Sequence, residues 1–284
     1  MTNQKVWFIT GASRGFGLEI TKAALAEGNK VVATVRSKPE QLAAQLENNE
    51  NLLVTVLDVT DEAQALDAAK QATDKFGRID VLVNNAGYGL LSAVEEASNE
   101  EVKQNYGANV FGLLNVTRAI LPYMRKQRSG HVINISSVGG LNGFVGWGIY
   151  GSTKFAVEGI TESMALELAP LGIYATTVEP GFFRTEFLDP TSLIRTAHVI
   201  DDYAGTVGEM RSFATQVNKK QPGDPKKLAQ AFITLANAEK PPVHLPLGND
   251  TLAMYREKTA KFEKDIEDWY DVITGTDHDD VRGF

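Results

Sequence analysis

The chain has 284 residues, 43% hydrophobic and 23% charged, the balance of a globular protein long enough to bury a full core. A net charge of −8 with no basic stripe argues against nucleic acid as a partner. No apolar run approaches the ~20 residues that span a bilayer, and the lack of cysteine excludes disulfides and thiolate metal sites and suits a cytoplasmic setting.

Residues 1–5 lead without a signal-peptide pattern into a short apolar run, 5–9, which reads as a buried strand ended by Gly11. Residues 15–27 place Phe16, Ile20, Ala24 and Leu25 at helical spacing, and Gly28 stops them. Strands are expected at 31–35 and 52–57 with a short helix between, then a helix over 63–76 and a strand over 79–83. A long helix follows at 100–127, bent near Pro122, then a strand at 131–135. The next helix carries Tyr150 and ends near Pro170 and Gly172, and a sixth strand, 174–178, runs into Pro180-Gly181. Between 182 and 220 the alternation fails. It resumes with a helix over 226–238, a seventh strand at 243–245 and a charged helix over 250–269.

Apolar strands alternating with helices predict an α/β fold of the Rossmann type, a doubly wound, seven-stranded parallel sheet with helices on both faces. Without a repeat or a linker, residues 1–284 read as one domain, with an insertion at about 182–220 and a C-terminal helical extension at about 249–284. The stretch from Arg256 onward holds nine acids against five bases and reads as a solvated helix face and an acidic tail. The four histidines, His131, His198, His244 and His278, are scattered, so no metal site is expected from their spacing.

The first strand ends in Thr10-Gly11-Ala12-Ser13-Arg14-Gly15-Phe16-Gly17, where the next helix opens. Glycines there allow a tight turn and close approach to a pyrophosphate, whose charge suits a helix N-terminus. The second strand ends in Val35-Arg36-Ser37, with no acid between 30 and 39 to hold the ribose hydroxyls of NAD. Arg14 and Arg36 can instead converge on a 2′-phosphate, with Ser37 as a further donor, which predicts NADP(H) over NAD. Asp58 and Val59 after the third strand, Asn84, Ala86 and Gly87 after the fourth, and Pro180, Gly181 and Thr185 after the sixth stand at the carboxyl edge of the sheet, where ligands bind.

Tyr150 and Lys154 lie one helical turn apart, with Ser137 thirteen residues before the tyrosine. A free phenol with a pKa of about 10 is ionised in roughly one molecule in a thousand at neutral pH. An ammonium at about 4 Å supplies on the order of 4 kcal/mol at an effective dielectric near 20, enough to lower that pKa by two or three units.

Together, Thr10-Gly11-x-x-x-Gly15-x-Gly17, Asp58, Asn84-Asn85-Ala86-Gly87, Asn109, Ser137, Tyr150-x-x-x-Lys154 and Pro180-Gly181-x-x-x-Thr185 give a chain that resembles the classical short-chain dehydrogenase/reductases over about residues 5–248. The resemblance implies that Tyr150 is the general acid in ketone reduction and the base in alcohol oxidation. It implies that Lys154 bonds the nicotinamide ribose and lowers the Tyr150 pKa, that Ser137 donates to the substrate oxygen, and that Asn109 holds a relay water. It also implies assembly as a homodimer or homotetramer. The insertion carries Phe182, Phe183, Phe187, Leu188, Leu193, Ile194, Val199, Ile200, Tyr203, Met210 and Phe213, and Leu141, Phe144, Val145 and Trp147 precede Tyr150. They predict a lid over an apolar pocket for a small-molecule carbonyl or alcohol substrate with a bulky hydrophobic body, as in the 17-beta-hydroxysteroid/retinol-dehydrogenase-like branch that the chain looks most like. A non-catalytic NADP-binding regulator would share the cradle but would have no need of Ser137, Tyr150 and Lys154 together.

Overall fold

The structure is a computed structural model that describes residues 4–278. Four strands, β1 (Val6–Ile9), β2 (Lys30–Val35), β3 (Leu52–Val56) and β4 (Val81–Asn84), alternate with helices α1 (Gly15–Ala26), α2 (Pro39–Gln45) and α3 (Glu62–Phe76). A short strand β5 (Gly89–Leu91) leads to α4 (Asn99–Tyr106), α5 (Leu113–Gln127) and β6 (Gly130–Ile135). Then come α6 (Gly148–Leu168), β7 (Ile173–Pro180), β8 (Leu193–Arg195), α7 (Glu209–Val217), α8 (Pro225–Asn237), β9 (His244–Leu247), α9 (Asn249–Asp268) and α10 (Tyr270–Thr274).

Seven strands form one parallel sheet in the order β3-β2-β1-β4-β6-β7-β9. The chain winds outward from β1 to β3, then crosses to β4 on the other side of β1. This reversal opens a crevice above the carboxyl ends of β1 and β4, the place that α/β sheets offer to a ligand. Successive residues of β1 serve opposite faces. Trp7 and Ile9 pack with Leu228 and Phe232 of α8, while Phe8 packs with Val116 and Ile120 of α5. Burial on both sides explains why these strands read as unbroken apolar runs.

Local signals set the element ends. Asp61 accepts from the Gln64 N–H at the start of α3, and Gly77 ends that helix with φ +79. Ser98 and Glu101 bond reciprocally at the start of α4 as a capping box.

Two expectations need correction. The long helix expected over 100–127 departs from α geometry at Gly107–Gly112, a π-helical stretch between α4 and α5, while Pro122 sits inside α5. The extra residue of a π turn widens the coil at Asn109, whose side chain bonds to neighbouring backbone. Residues 182–220 are not uniformly irregular: β8 pairs in parallel with β5, and α7 follows. The acidic tail is helical at α10, and its last residues, 279–284, lie outside the described residues. Among the described residues, no helix is long and apolar enough to cross a membrane.

Candidate active site

A cleft of about 800 Å³ opens at the crevice between β1 and β4. Gly11 and Gly15 hold φ values of +65 and +55 in the turn after β1, a region in which a side chain would be strained. α1 begins at Gly15 with Arg14 as an extended N-cap that offers no side-chain bond, and its first turn holds no acid. Its leading N–H groups are therefore left for an anion. Glu186 Oε2 lies nearby, 3.7 Å from the place of a Cβ on Gly15. Gly17 lets the turn close on the neighbouring loop, since a Cβ there would fall 2.6 Å from Asn85 Nδ2.

That loop is locked to β1. Asn85 Nδ2 donates to the carbonyls of Thr10 (2.7 Å) and Gly11 (3.0 Å), and Thr10 Oγ1 accepts from the N–H groups of Asn85 and Ala86. Asn85 lines the cleft, a place the sequence reading gave to Asn84. Asn84 instead donates to Thr117 Oγ1 and Asn134 Oδ1, both at 2.9 Å, because the last residue of a doubly covered strand faces a helix.

Of the residues expected in the site, Gly11, Ser13, Arg14, Gly15, Phe16, Arg36, Asp58, Val59, Ala86, Gly87, Ser137, Tyr150, Lys154, Pro180, Gly181 and Thr185 line the cleft. Gly17, Ser37, Asn84 and Asn109 do not. Arg14 and Arg36 divide rather than converge. Arg36 follows β2 and is exposed, whereas Arg14 reaches across to the insertion, its Nη2 donating to Thr191 O (2.8 Å) and Ser192 Oγ (2.9 Å). Tyr88 and Glu186, which also line the cleft, were missed; neither sits in a spacing that signals a site.

Ser137, Tyr150 and Lys154 meet on one wall. Ser137 follows β6 and accepts from the Gly139 N–H at 3.0 Å. Lys154 Nζ donates to Ile135 O at 2.8 Å and stands 5.7 Å from the centre of the Tyr150 ring. Asn109 lies behind them, its Nδ2 donating to Tyr88 O (3.0 Å) and Thr153 Oγ1 (3.1 Å) while its Oδ1 accepts from the Tyr88 N–H. Ser136, the neighbour of Ser137, turns toward Lys154 O at 3.5 Å.

The electrostatics differ from the expectation that Lys154 makes a phenolate of Tyr150. Burial pushes the Tyr150 hydroxyl well above its ordinary value, opposed only by a hydrogen bond from Ser137. Burial likewise brings Lys154 down to about 8, opposed by the Glu158 carboxylate. Removal from water dominates both shifts. The wall therefore holds a neutral phenol.

Aromatic rings pack directly against Tyr150. Phe187 stacks on Trp147 (6.2 Å, 21°) and leans on Tyr150 at 5.5 Å, and Trp147 meets Tyr150 edge-on at 5.8 Å. Phe144, Ile194, Met210 and Phe213 also line the cleft, whereas Val199, Ile200 and Tyr203 lie away from it. An ion pair between Arg211 and the buried Glu96 clamps α7 to the sheet side. Glu96 also accepts from the N–H groups of Ala93 (2.7 Å) and Ile200 (3.0 Å).

Residues 5–193 match the family described as short chain dehydrogenase. The chain is 39% identical to the oxidoreductase BOA17 of Botryotinia fuckeliana over 90% of its own length and 93% of that protein. It is 38% identical to the 3-ketodihydrosphingosine reductase of Bacteroides thetaiotaomicron over 86% and 88%. A short-chain dehydrogenase from Streptomyces avermitilis superposes with a TM-score of 0.89 at 38% identity, covering 98% of this chain and all of that one. ElxO with NADP bound superposes at 0.73 with 30% identity over 88% and 100% of the chains. A 3-ketoacyl-(acyl-carrier-protein) reductase from Brucella melitensis complexed with NADH superposes at 0.72 with 26% identity over 86% and 96%. The chain belongs to the classical short-chain dehydrogenase/reductase family. It is an oxidoreductase of carbonyl and alcohol groups that uses a nicotinamide cofactor.

Proposed function

We propose that the protein is an NADP(H)-dependent reductase of bulky hydrophobic ketones or aldehydes. The observation that carries the reading is the meeting of Ser137, Tyr150 and Lys154 on one wall of the cleft, beside the aromatic rings of Trp147 and Phe187. The residues fit a dinucleotide. The uncapped α1 N-terminus and the glycine turn take the pyrophosphate, Asp58 and Val59 the adenine, Lys154 the nicotinamide ribose, and Pro180, Gly181 and Thr185 the carboxamide. Gly87 leaves room for Asn109, since a Cβ there would fall 2.8 Å from its Oδ1. When bound, the cofactor supplies the hydride for reduction.

Ser137 donates to the carbonyl oxygen and favours the negative charge that grows there. Tyr150, kept as a phenol by burial, releases its proton to that oxygen. Lys154 stabilises the phenolate left behind, and Asn109 positions the segment through which the proton is replaced.

The missing acid after β2 and the open Arg36 support NADP(H). The aromatic wall supports an apolar substrate, as the likeness to the steroid- and retinol-dehydrogenase-like branch implies, with residues 182–220 acting as its lid. Assembly as a homodimer or homotetramer belongs to the same proposal; exposed Phe111 and Leu166 supply apolar surface for it. Titration of the purified protein tests the cofactor: NADPH should bind at least about tenfold tighter than NADH, and equal affinities would contradict the choice.

A further inference from the structure

Behind Lys154, three side chains from three elements meet with their donor atoms inward. Glu158 follows Lys154 by one turn of α6, Glu179 stands near the end of β7, and His244 opens β9. One donor atom from each lies within 4.8 Å of the other two. His244 Nδ1 is 3.3 Å from Glu158 Oε2 and 3.3 Å from Glu179 Oε1. Glu179 is fully buried and Glu158 is 6% exposed, yet both oxygens of Glu158 and Oε2 of Glu179 have no hydrogen-bond partner. Thr177 donates to Glu179 Oε1. Buried charges need opposite charge, and buried acceptors need donors. Burial and then the Glu158 carboxylate push Glu179 up to about 8, which reflects the cost of two anions side by side here. A protonated His244 brings one positive charge against two carboxylates, and of the unpartnered oxygens its Nδ1 reaches Glu158 Oε2, leaving Glu158 Oε1 and Glu179 Oε2 without a donor.

We propose that Glu158, Glu179 and His244 bind one divalent transition-metal ion. Two carboxylates and an imidazole suit zinc, manganese, cobalt or nickel, whereas calcium and magnesium favour oxygen alone. Two ligands each about 2.1 Å from a common ion stand roughly 3.0–3.4 Å apart, as the His244 distances do. Glu162 Oε1 lies 3.5 Å from the other ring nitrogen, Nε2. A carboxylate there holds the proton on Nε2 and leaves the Nδ1 lone pair for the metal. The His244 side chain is 42% exposed, which gives the ion a way in and leaves room for water to complete its coordination. The ion ties α6, β7 and β9 together beneath the wall that carries Tyr150, a structural role. Sequence spacing conceals the site because each ligand comes from a different element.

Calorimetric titration of the tag-free, chelator-treated full-length protein with Zn²⁺ and Co²⁺ tests the proposal, with the Co²⁺ absorption spectrum reporting the ligand field. One ion should bind per chain and raise the thermal midpoint. Glu179→Gln, His244→Asn and Glu158→Gln should each weaken binding at least tenfold, and Glu162→Gln about tenfold. Circular dichroism identifies any variant that fails to fold, and the remaining variants then decide. Lack of stoichiometric binding by the wild type, or unchanged affinity in the folded ligand variants, would overturn it.

Discussion

Tyr150 and Lys154 stand buried on a 21-residue helix, with Lys154 hydrogen-bonded to the sheet, whereas the second wall, from residues 182–220, is built from 3₁₀ turns, a three-residue strand and the short α7. The first wall is fixed by backbone partners: Ile135 O for Lys154, the Gly139 N–H for Ser137, and Tyr88 for Asn109. The second is held by the β5–β8 ladder and by side-chain links, chiefly Arg211 to Glu96 and Arg14 to Thr191 O and Ser192 Oγ. Proton transfer needs atoms placed to within fractions of an ångström, which regular elements provide. Substrate choice tolerates, and lid movement requires, a wall that opens at low cost. The comparison teaches that the proposed proton donor stands on a long regular helix, while short elements far from it in sequence complete the cleft.

The largest effect expected is on the rigid wall. Tyr150→Phe removes the proton donor while keeping the ring contacts, so kcat should fall about a thousandfold. NADPH affinity, followed by fluorescence, should change little. Arg211→Met strikes the looser wall. It leaves the Glu96 carboxylate buried with two backbone donors and no cation, which should cost about 3 kcal/mol in a denaturant titration. The same change should raise KM more than it lowers kcat, since the reacting groups lie on the other wall.

Arg36→Asp places an acid at the end of β2. NADPH affinity should drop at least about tenfold while NADH affinity holds or improves, measured by titration. The smallest effect expected concerns pH. Burial brings Lys154 down to about 8, so its ammonium is present below that pH and lost as pH rises through it. NADPH affinity should therefore fall several-fold over about one unit above that value, and Lys154→Met should bind weakly with a flat profile.

Motifs that act through adjacent residues were legible in the sequence. The glycine turn, the Tyr150–Lys154 pair and the alternation that builds the sheet depend on backbone freedom and periodicity, which the chain carries locally. What depended on distant partners was not. The β5–β8 pairing joins two three-residue strands that lie far apart in the sequence. The inward turn of Asn84 follows from which helix covers β4. The neutral state of Tyr150 follows from burial that no spacing reports, and the reach of Arg14 to the insertion could not be read without the fold.

The most direct test of the central claim is NADPH consumption by the wild-type protein, read as loss of reduced-nicotinamide absorbance, across ketones and aldehydes of increasing apolar size. The account predicts turnover with NADPH that strengthens as the apolar group fills the Trp147–Phe187 face. No turnover with any carbonyl, or equal turnover of small polar and bulky apolar substrates, would contradict it.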